Sequence, residues 1–400
     1  MRARELCSRG SEMSGIIEKD NLYVAGTYAR FPVALVRGHG SLVYDENGKE
    51  YIDMGSGIGV TSFGISDEEW KTAVKDQLDS LQHTSNLYYT DPCARLAELL
   101  CEKTGMKKVF FGNSGAEANE CAIKVARKYA AEKKGADFYN IITLKNSFHG
   151  RTLTTLAATG QDHYHELFNP LTPGFVYADA NDFESVKMLA EANKTVAIMI
   201  ECIQGEGGVN VLDAEFVKKV ARYASENDII FIVDEVQTGN GRCGELYCYM
   251  NYGIKPDIVT TAKGLGGGLP IGAALLSEKV QNVLGHGDHG STYGGNPVCC
   301  AGAYSIISRI DEDLLATVKE KSKLVFSMLE GSKGIEKVSG IGLMIGIKTE
   351  KSASEVVKAC IERGVLCLTA KDKVRLLPAL NIPKEILVKA VETIKEVCAE

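Results

Sequence analysis

Short apolar segments alternate with amphipathic segments through the middle of the chain. Helical spacing of apolar positions predicts helices over 116–131 and 215–226. Strands that are apolar on both faces and alternate with helices are typical of a parallel sheet covered on both sides. We therefore predict an α/β fold that binds its ligands where the strands end. The runs that predict buried strands are 108–111, 140–144, 196–200, 229–233, 257–261 and 271–276.

The pattern differs on either side of this region. Asn47-Gly48 separates two strand-like runs and predicts a hairpin, and Ser66 begins a capping-box pattern that predicts the start of a helix. After about residue 300, charged helices (300–331, 353–363 and 384–398) alternate with glycine-rich strands such as 340–347. We therefore predict a domain boundary near Asn296–Pro297. The predicted units are a frayed or misassigned start at 1–13, an N-terminal segment at 14–65 that packs with the small domain, a large domain at 66–297 and a small α+β domain at 298–400.

Composition and charge exclude several classes of protein. The 400 residues are 45% apolar and 24% charged, as in an ordinary globular protein. The net charge of −7 gives no electrostatic reason to expect binding to nucleic acid or to an anionic membrane. No apolar run reaches the ~18 residues that span a bilayer, and the first 14 residues lack the apolar core of a secretory signal. Twelve cysteines without a CxxC pair indicate reduced thiols in the cytosol. We expect no metal site, since the His163/His165 and His286/His289 pairs have no evident third ligand.

A glycine- and serine-rich turn, GNSGAEAN at 112–119, links the first predicted strand to a helix. Free backbone N–H groups at a helix N-terminus suit a phosphate, and Ser114 could add its hydroxyl. An ordinary N-cap turn is the alternative interpretation. The turn alone does not decide between them.

Two charged residues follow later strands. Asp234 comes after 229–233 and could pair with a cationic ring nitrogen, although with Glu235 it could also start a helix. A magnesium-binding acid pair of an ATPase is a further alternative, but the chain has no GxxxxGK[ST] segment. Lys263 comes after 257–261 in a glycine-lined turn, where desolvation lowers the pKa of an amine and frees a nucleophile. A solvated surface lysine is the alternative there.

Taken together, the phosphate turn, Asp234 and Lys263 match the three groups that hold pyridoxal phosphate. Its phosphate suits the helix N-terminus, its aldehyde condenses with a lysine amine, and a carboxylate keeps its pyridine nitrogen protonated so that the ring accepts electrons. Because all three residues follow strands of one predicted sheet, they are expected to meet in one site.

The chain resembles the class III aminotransferases of fold type I over roughly residues 17–398. The resemblance implies a large domain with a mostly parallel seven-stranded sheet and a smaller α+β domain. The N-terminal run at 27–53 is most similar to the acetylornithine branch of the family. The motifs that carry the resemblance are NSGAEANE, SFHGRT (147–152), IECIQGEGG (200–208), VDEVQTGNGR (233–242), AKGLGGGLPIGA (262–273) and GSTYGGNP (290–297).

This resemblance implies a role for each cofactor-binding residue. Lys263 would be the Schiff-base lysine and proton shuttle, Asp234 would bind the pyridine nitrogen, and Phe148 would stack on the ring. Thr292 would reach the cofactor of the partner subunit, so the resemblance implies a homodimer with shared active sites. The remaining cofactor contacts would be Val236 behind the ring, Gln237 at the ring hydroxyl, and Ser114, Gly115 and Ala116 at the phosphate.

The resemblance also implies the substrates. The reaction would be transamination of N-acetylornithine with 2-oxoglutarate, in arginine biosynthesis. Arg151, with Tyr28 and Ser291 at the same end, would hold the carboxylate far from the reacting amine. Arg375 would hold the α-carboxylate of 2-oxoglutarate, and Glu206 would pair with Arg375 when the donor is bound. Succinylornithine, ornithine or 4-aminobutyrate as donor is the nearest alternative, and a non-catalytic cofactor-binding protein is a more distant one.

Two details depart from the family pattern, and one further residue, His149, has a role that could be misassigned. Cys202 stands where the family usually has proline, and GISDEEW (64–70) replaces a histidine-containing run, which could alter the loop before Glu206 and the substrate entrance. His149 follows the stacking Phe148 and could be mistaken for a general base. We predict a packing or hydrogen-bonding role for it instead.

Overall fold

The computed structural model describes residues 15–400. Its helices are α1 (Gly15–Tyr23), α2 (Ser56–Gly59), α3 (Glu68–Ser80), α4 (Asp91–Thr104), α5 (Gly115–Lys133), α6 (Leu153–Ala158), α7 (Phe183–Ala192), α8 (Ala214–Glu226), α9 (Pro297–Ser308), α10 (Glu312–Leu329), α11 (Ala353–Glu362) and α12 (Lys384–Ala399). Its strands are β1 (Leu35–His39), β2 (Leu42–Asp45), β3 (Glu50–Asp53), β4 (Lys108–Gly112), β5 (Asn140–Leu144), β6 (Phe175–Ala178), β7 (Thr195–Ile200), β8 (Ile203–Gln204), β9 (Asn210–Val211), β10 (Ile230–Asp234), β11 (Ile258–Thr261), β12 (Gly272–Leu276), β13 (Ile335–Ile341), β14 (Met344–Thr349), β15 (Val365–Leu366), β16 (Leu368–Ala370) and β17 (Lys373–Leu376).

The larger unit is built on a seven-stranded sheet in the order β4-β12-β11-β10-β7-β5-β6. Six strands run parallel, and β12 is antiparallel to both of its neighbours. Residues of β7 and β10 are fully buried, because helices cover both faces of the sheet. The predicted mostly parallel seven-stranded sheet is confirmed.

The six strands predicted between residues 108 and 276 are all present, with ends shifted by one residue at most. The single strand predicted at 340–347 is wrong, because this run spans the turn between β13 and β14. The sequence analysis missed β6, an edge strand whose residues are only half-buried over most of its length. The helix predicted to start at Ser66 instead has Asp67 as its N-cap, whose carboxylate accepts the Trp70 N–H at 2.9 Å. Ser66 itself has a φ of 57°, which is outside the helical region.

The smaller unit is an antiparallel sheet in the order β13-β14-β17-β16, packed against α10, α11 and α12. The predicted helical stretch 300–331 is two helices, α9 and α10, that are separated by residues 309–311. The predicted hairpin at Asn47-Gly48 is formed by β2 and β3. Strand β3 pairs in parallel with β15, and this pairing joins the N-terminal segment to the C-terminal unit.

Helix α9 belongs by its packing to the larger unit. It contacts α3 and α4, and its side chains Cys300, Ala303 and Ile307 are buried in the same core as the central sheet. The later helices supply a second core around β14 and β17. This packing favours a division near Ile310 over one near Asn296–Pro297, and the domain bounds stay a prediction.

None of the helices between residues 15 and 400 has the length and apolar character needed to cross a membrane.

Candidate active site

A pocket of about 570 Å³ opens at the carboxyl ends of the central strands. The phosphate turn, Asp234 and Lys263 all line it, although they are far apart in the sequence. The carboxyl ends of β10 and β11 meet at this edge because the two strands are parallel neighbours. The predicted meeting of these three features in one site is thus observed.

Lys263 lies two residues beyond the end of β11. Its φ is 44°, a left-handed conformation that a non-glycine residue adopts only when its surroundings hold it there. Asn240 supplies part of that hold, because its side-chain amide donates to Thr261 Oγ1 at 3.0 Å and to the Ala262 carbonyl at 3.1 Å. The strand end therefore aims the lysine into the pocket.

The amine of Lys263 sits in a poorly solvated environment. Burial lowers its pKa below the ordinary value, and the positive charge of Arg375 lowers it further. The carboxylates of Glu206 and Asp234 act in the opposite direction without cancelling the effect. The free-base nucleophile is consequently more available near neutral pH than that of a surface lysine.

Asp234 ends β10 and is almost fully buried. Its Oδ2 accepts a hydrogen bond from Asn119 Nδ2 at 2.8 Å and lies 2.8 Å from His149 Nδ1, while Oδ1 accepts the Val236 N–H at 3.0 Å. These partners orient a buried carboxylate toward the pocket. The hydrogen-bonding role predicted for His149 is confirmed.

The phosphate turn is shaped by close packing around Gly115. A Cβ placed there would lie 2.6 Å from Val236 Cγ1, so any larger residue would force the turn or the valine to shift. Ser114 is the N-cap of α5, and its Oγ accepts the Glu117 N–H at 3.2 Å. The N–H groups of the first helical residues, Gly115 and Ala116, have no partner within the helix. They leave an anion-binding end of a long helix at the pocket wall.

Glu206, Gln237 and Arg375 form a hydrogen-bonded triangle beside the lysine. Arg375 Nη1 donates to Glu206 Oε1 at 2.6 Å and to Gln237 Oε1 at 3.0 Å, and Gln237 Nε2 donates to Glu206 at 3.2 Å. Burial alone would raise the pKa of the Glu206 carboxyl, but the adjacent Arg375 outweighs it and holds that pKa below the ordinary value. Arg375 Nε is buried and has no partner among residues 15–400. The arginine is therefore only partly satisfied.

The outer rim of the pocket is aromatic and cationic. Phe148 and Tyr28 line it, and the Arg151 guanidinium carbon lies 5.9 Å from the centre of the Phe148 ring and 5.7 Å from that of Tyr164. Arg151 is exposed and forms no ion pair with a carboxylate in residues 15–400. Ile58 reaches the rim from α2, a turn whose residues have positive φ. The rim can thus accept an acidic group.

Two of the residues predicted for the site lie elsewhere in this chain. Ser291 and Thr292 line a second cavity of about 480 Å³, and Thr292 is exposed there. Ser291 Oγ accepts from Asn113 Nδ2 at 2.9 Å, and Asn113 lines both cavities. Within one chain, therefore, Ser291 does not share an end of the pocket with Tyr28.

The sequence analysis missed Glu201, which lines the pocket and directly follows β7. Its Oε2 accepts the Phe148 N–H at 2.8 Å. Burial raises the pKa of this carboxyl well above its ordinary value, and the negative charge of Asp234 adds to the effect. The rule that identified Asp234 and Lys263, a charged residue just past an apolar strand, applies to Glu201 as well.

Asn119 was also missed, since an asparagine within a helical pattern gives no signal of its partner. Cys202 is fully buried beside Glu201, and its carbonyl accepts the Leu212 N–H at 3.0 Å. The GISDEEW segment lines a smaller cavity near Gly267 and Gly268. Among residues 15–400, no three His, Cys, Asp or Glu side chains are grouped so that they could hold a metal ion.

The geometry can be compared with known proteins. The family model for class III aminotransferases matches residues 23–398. An acetylornithine aminotransferase from Haemophilus ducreyi is 48% identical, over 96% of this chain and 98% of that protein. The crystal structure of acetylornithine aminotransferase from Elizabethkingia anophelis superposes with a TM-score of 0.86 at 34% identity, covering 96% and 98% of the two chains. The structure of an ornithine aminotransferase from Toxoplasma gondii, with pyridoxal phosphate at partial occupancy in its active site, superposes with a TM-score of 0.91 at 31% identity. The match covers 96% of this chain and 94% of that one.

Pyridoxal phosphate is the cofactor of this enzyme class, and the residues of the pocket fit it. The amine of Lys263 suits the aldehyde, the buried Asp234 suits a protonated ring nitrogen, and the tight turn at Gly115 suits a phosphate. With this fit, a family model that matches almost the whole chain and a relative of 48% identity, the chain belongs to the class III aminotransferases.

Proposed function

We propose that this enzyme transfers the δ-amino group of N2-acetyl-L-ornithine to 2-oxoglutarate, giving N-acetyl-L-glutamate 5-semialdehyde and L-glutamate. The observation that carries the proposal is that two arginines at this site differ in how they are paired. Arg151 lines the pocket and forms no ion pair among residues 15–400, whereas the buried Arg375 is paired with Glu206, which itself lines the pocket. The curated relatives named acetylornithine aminotransferase support the same donor. The reaction follows a ping-pong course, with the donor product leaving before the acceptor binds.

When bound, pyridoxal phosphate carries the amino group between the two substrates and takes up electrons in its protonated ring. Lys263 would hold the cofactor covalently, and its Nζ would move the proton at the reacting carbon of the donor. Asp234, held in place by Asn119 and His149, would keep the ring nitrogen protonated. The helix end at Gly115 and Ala116 would bind the phosphate, and the pocket-lining Phe148 and Val236 would contact the ring.

Arg151 binds the α-carboxylate of the donor. It forms no ion pair with any residue between 15 and 400 and lies on the aromatic rim, where a planar guanidinium can form a two-point bond with a carboxylate. A donor held there presents the amine at its other end to Lys263. This placement favours an ω-amine over an α-amine.

Glu206 adapts the pocket to two different substrates. The reacting end of the donor has no carboxylate, and Glu206 then neutralises Arg375, as in the structure. The reacting end of 2-oxoglutarate carries an α-carboxylate, which takes the place of Glu206 on the arginine. Since a buried charge without a partner is costly, this exchange keeps Arg375 paired in both half-reactions.

The active enzyme is a homodimer with shared sites. Thr292 is exposed in a cavity of its own chain rather than in the main pocket, as expected for a residue that reaches the cofactor of the partner subunit. Leu87, Tyr88 and Tyr89 form an exposed apolar segment near that cavity's loop, which Asn86 holds through hydrogen bonds to Ser291 and Gly294. Such a patch suits an interface. We place the enzyme in the cytosol, because the eleven cysteines of the described residues are all free.

The test is kcat/KM for N-acetylornithine, succinylornithine, ornithine and 4-aminobutyrate, each with 2-oxoglutarate as acceptor. The proposal expects N-acetylornithine to give the largest value. A larger value for ornithine or 4-aminobutyrate would contradict the donor but not the transamination. A cofactor absorption band that no donor bleaches would contradict the enzyme activity itself.

A further inference from the structure

Another cavity, which we call the interdomain cleft, is lined in part by Val209, at the end of the loop that carries Glu206. Its volume is about 450 Å³, a size that admits a small ligand. The larger unit contributes the side chains of Asn146, Asn181 and Asn210, and the smaller unit contributes Lys337, Ser339 and Lys373. The lining is rich in hydrogen-bond donors.

Three lysines lie side by side across the small sheet at this cleft. Lys337 on β13 is paired with Lys348 on β14, and Lys348 is paired with Lys373 on β17. Residues in such a row point to the same face and are close neighbours, so like charges there destabilise the sheet. We call Lys337, Lys348 and Lys373 the lysine row.

Within the part of the chain that the structure describes, one member of the lysine row is neutralised by an acid. Lys348 forms an ion pair with Asp372 at 2.7 Å. The acceptors of Lys373 there are neutral groups, Ser339 Oγ at 3.0 Å and Asn210 Oδ1 at 3.3 Å. The side chain of Lys337 has no hydrogen bond or ion pair with any described residue, although its backbone pairs with β14.

The charges around the cleft leave the lysines uncompensated. Lys371 approaches from beyond β16 and donates to Asn146 Oδ1, another neutral acceptor. Asp179, near the Asn181 side, is already paired with Lys145 at 2.7 Å. The pKa of Lys373 is lowered, by burial first and then by the charges of Lys337 and Lys348, although Asp372 opposes them. A bound anion relieves this repulsion.

The cleft is linked to the active site through the same sheet face. Arg375 follows Lys373 by two residues on β17, so both side chains lie on one face of the strand. Ser339, which accepts from Lys373, donates to the Val209 carbonyl at 3.0 Å. Val209 ends the loop of Glu206.

The loop of Glu206 is held in a strained shape. Val209 has a φ of 50°, which is unfavourable for a β-branched residue. A Cβ placed on Gly346, which lies between Ser339 and Arg375 in the sheet, would come within 2.8 Å of Val209 Cβ. Ser339, through its hydrogen bond, and Gly346, through close packing, thus hold Val209 and this end of the loop in place.

We propose that the interdomain cleft is a regulatory site for a small anion with carboxylate or phosphate groups, bound by Lys337 and Lys373. Binding draws Lys373 away from Ser339 and Asn210. The hold of Ser339 on Val209 then weakens, and Glu206 leaves Arg375 more easily. The binding claim stands on the cleft alone, whereas the effect on Glu206 rests on the proposed function.

Binding is tested by calorimetry on the holoenzyme at constant ionic strength, with inorganic phosphate and with citrate as probes. We expect one saturable site per chain for at least one probe, and the better probe identifies the preferred group. Lys337→Glu should weaken that binding at least tenfold, since it reverses a charge in the cleft. Because Lys337 is exposed and its side chain forms no hydrogen bond or ion pair with residues 15–400, the change should not disturb the fold. Lys333→Glu, the same change at an exposed lysine outside the cleft, should alter it less than twofold. Equal weakening in both variants, or no saturable binding of either probe, would overturn the site.

The effect on the active site is tested by kinetics with the same probes. Saturating anion should lower KM for 2-oxoglutarate at least threefold in the wild type and leave it unchanged in Lys337→Glu. An unchanged or raised KM in the wild type would overturn the link to Glu206. The choice of amino donor does not affect the calorimetry, so a wrong donor assignment is recognised separately from a wrong anion site.

Discussion

Glu206 Oε1 lies 2.6 Å from Arg375 Nη1, and this ion pair joins the two units of the protein at the active site. Glu206 belongs to the loop between β8 and β9 in the larger unit, and Arg375 belongs to β17 of the smaller one. The arginine is almost fully buried, whereas the glutamate faces the pocket. The acid can therefore move while the base stays fixed, which is the physical requirement of the proposed substrate exchange.

Replacing Glu206 with alanine tests that exchange. Arg375 then lacks a partner whenever N-acetylornithine is bound, and we expect kcat/KM for that donor to fall by about tenfold or more. L-glutamate used as donor brings its own α-carboxylate to Arg375, so its kcat/KM should change less than about threefold. Steady-state kinetics with both donors give the ratio.

A surface glutamate provides the control for that comparison. Glu245→Ala removes an ion pair with Lys319 on the surface and should leave kcat/KM unchanged for both donors. If Glu206→Ala lowers kcat/KM for the two donors by the same factor, Glu206 does not act as an exchangeable partner of Arg375.

Gly115→Ala should damage the phosphate end of the site. The added methyl group meets Val236 Cγ1 at 2.6 Å, so the turn or the valine must shift. We expect a cost of about 1–3 kcal/mol and, because the shift displaces the N–H groups of the phosphate turn, roughly tenfold weaker cofactor binding. Gly26→Ala is the matched control, because nothing lies within 4 Å of its Cβ position. Cofactor titration followed by absorbance measures both, and equal affinities would contradict the packing argument.

Thr292→Ala tests whether the partner subunit completes the site. Losing a hydrogen bond to a charged phosphate costs about 1.5 kcal/mol or more, so cofactor affinity should fall by about tenfold. Thr393→Ala, on the surface of α12, serves as the control. A wild-type affinity in Thr292→Ala would show that this hydroxyl does not reach a cofactor.

The buried Glu235 gives a prediction about pH. Burial raises its pKa to about 7, although the Thr238 hydroxyl and the N–H groups of Cys248 and Tyr249 bind the carboxyl. When the pKa of a carboxyl is higher in the folded than in the unfolded protein, the protein loses stability as the pH rises from the unfolded-state pKa to the folded-state pKa. The wild type should therefore lose stability relative to Glu235→Gln between about pH 4.5 and 7.

Thermal unfolding of the wild type and of Glu235→Gln at pH 5, 6, 7 and 8 measures this effect. Glu235→Gln should be the less stable at pH 5, because its amide has a single accepting oxygen, whereas the carboxyl accepts one backbone N–H on each of its two oxygens. The difference should shrink toward pH 8. A difference that is constant over this range would contradict the raised pKa.

The residues directly after the strands were the most informative part of the sequence. Asp234 and Lys263 could be predicted because buried strands have an unmistakable apolar pattern, and parallel strands bring their carboxyl ends together. Glu201 satisfies the same rule and could have been found in the same way. The fold class and the central strands follow from the same pattern.

Other features depend on contacts that no local pattern reveals. Asn119 contacts Asp234 across 115 positions of sequence, and the helix pattern around it is the same with or without that contact. The choice of Asp67 rather than Ser66 as the N-cap of α3 depends on which side chain reaches the Trp70 N–H. The lysine row arises only when three strands pair in a particular register. Tertiary structure decides each of these.

The central claim is that the amine of Lys263 holds the cofactor covalently. Borohydride reduction of the holoenzyme, followed by digestion and mass spectrometry, tests it directly. We predict one pyridoxyl group per chain on the peptide that contains Lys263, and none on any lysine of a Lys263→Ala variant. A label on another lysine, or no label in the wild type, would contradict the assignment of the site.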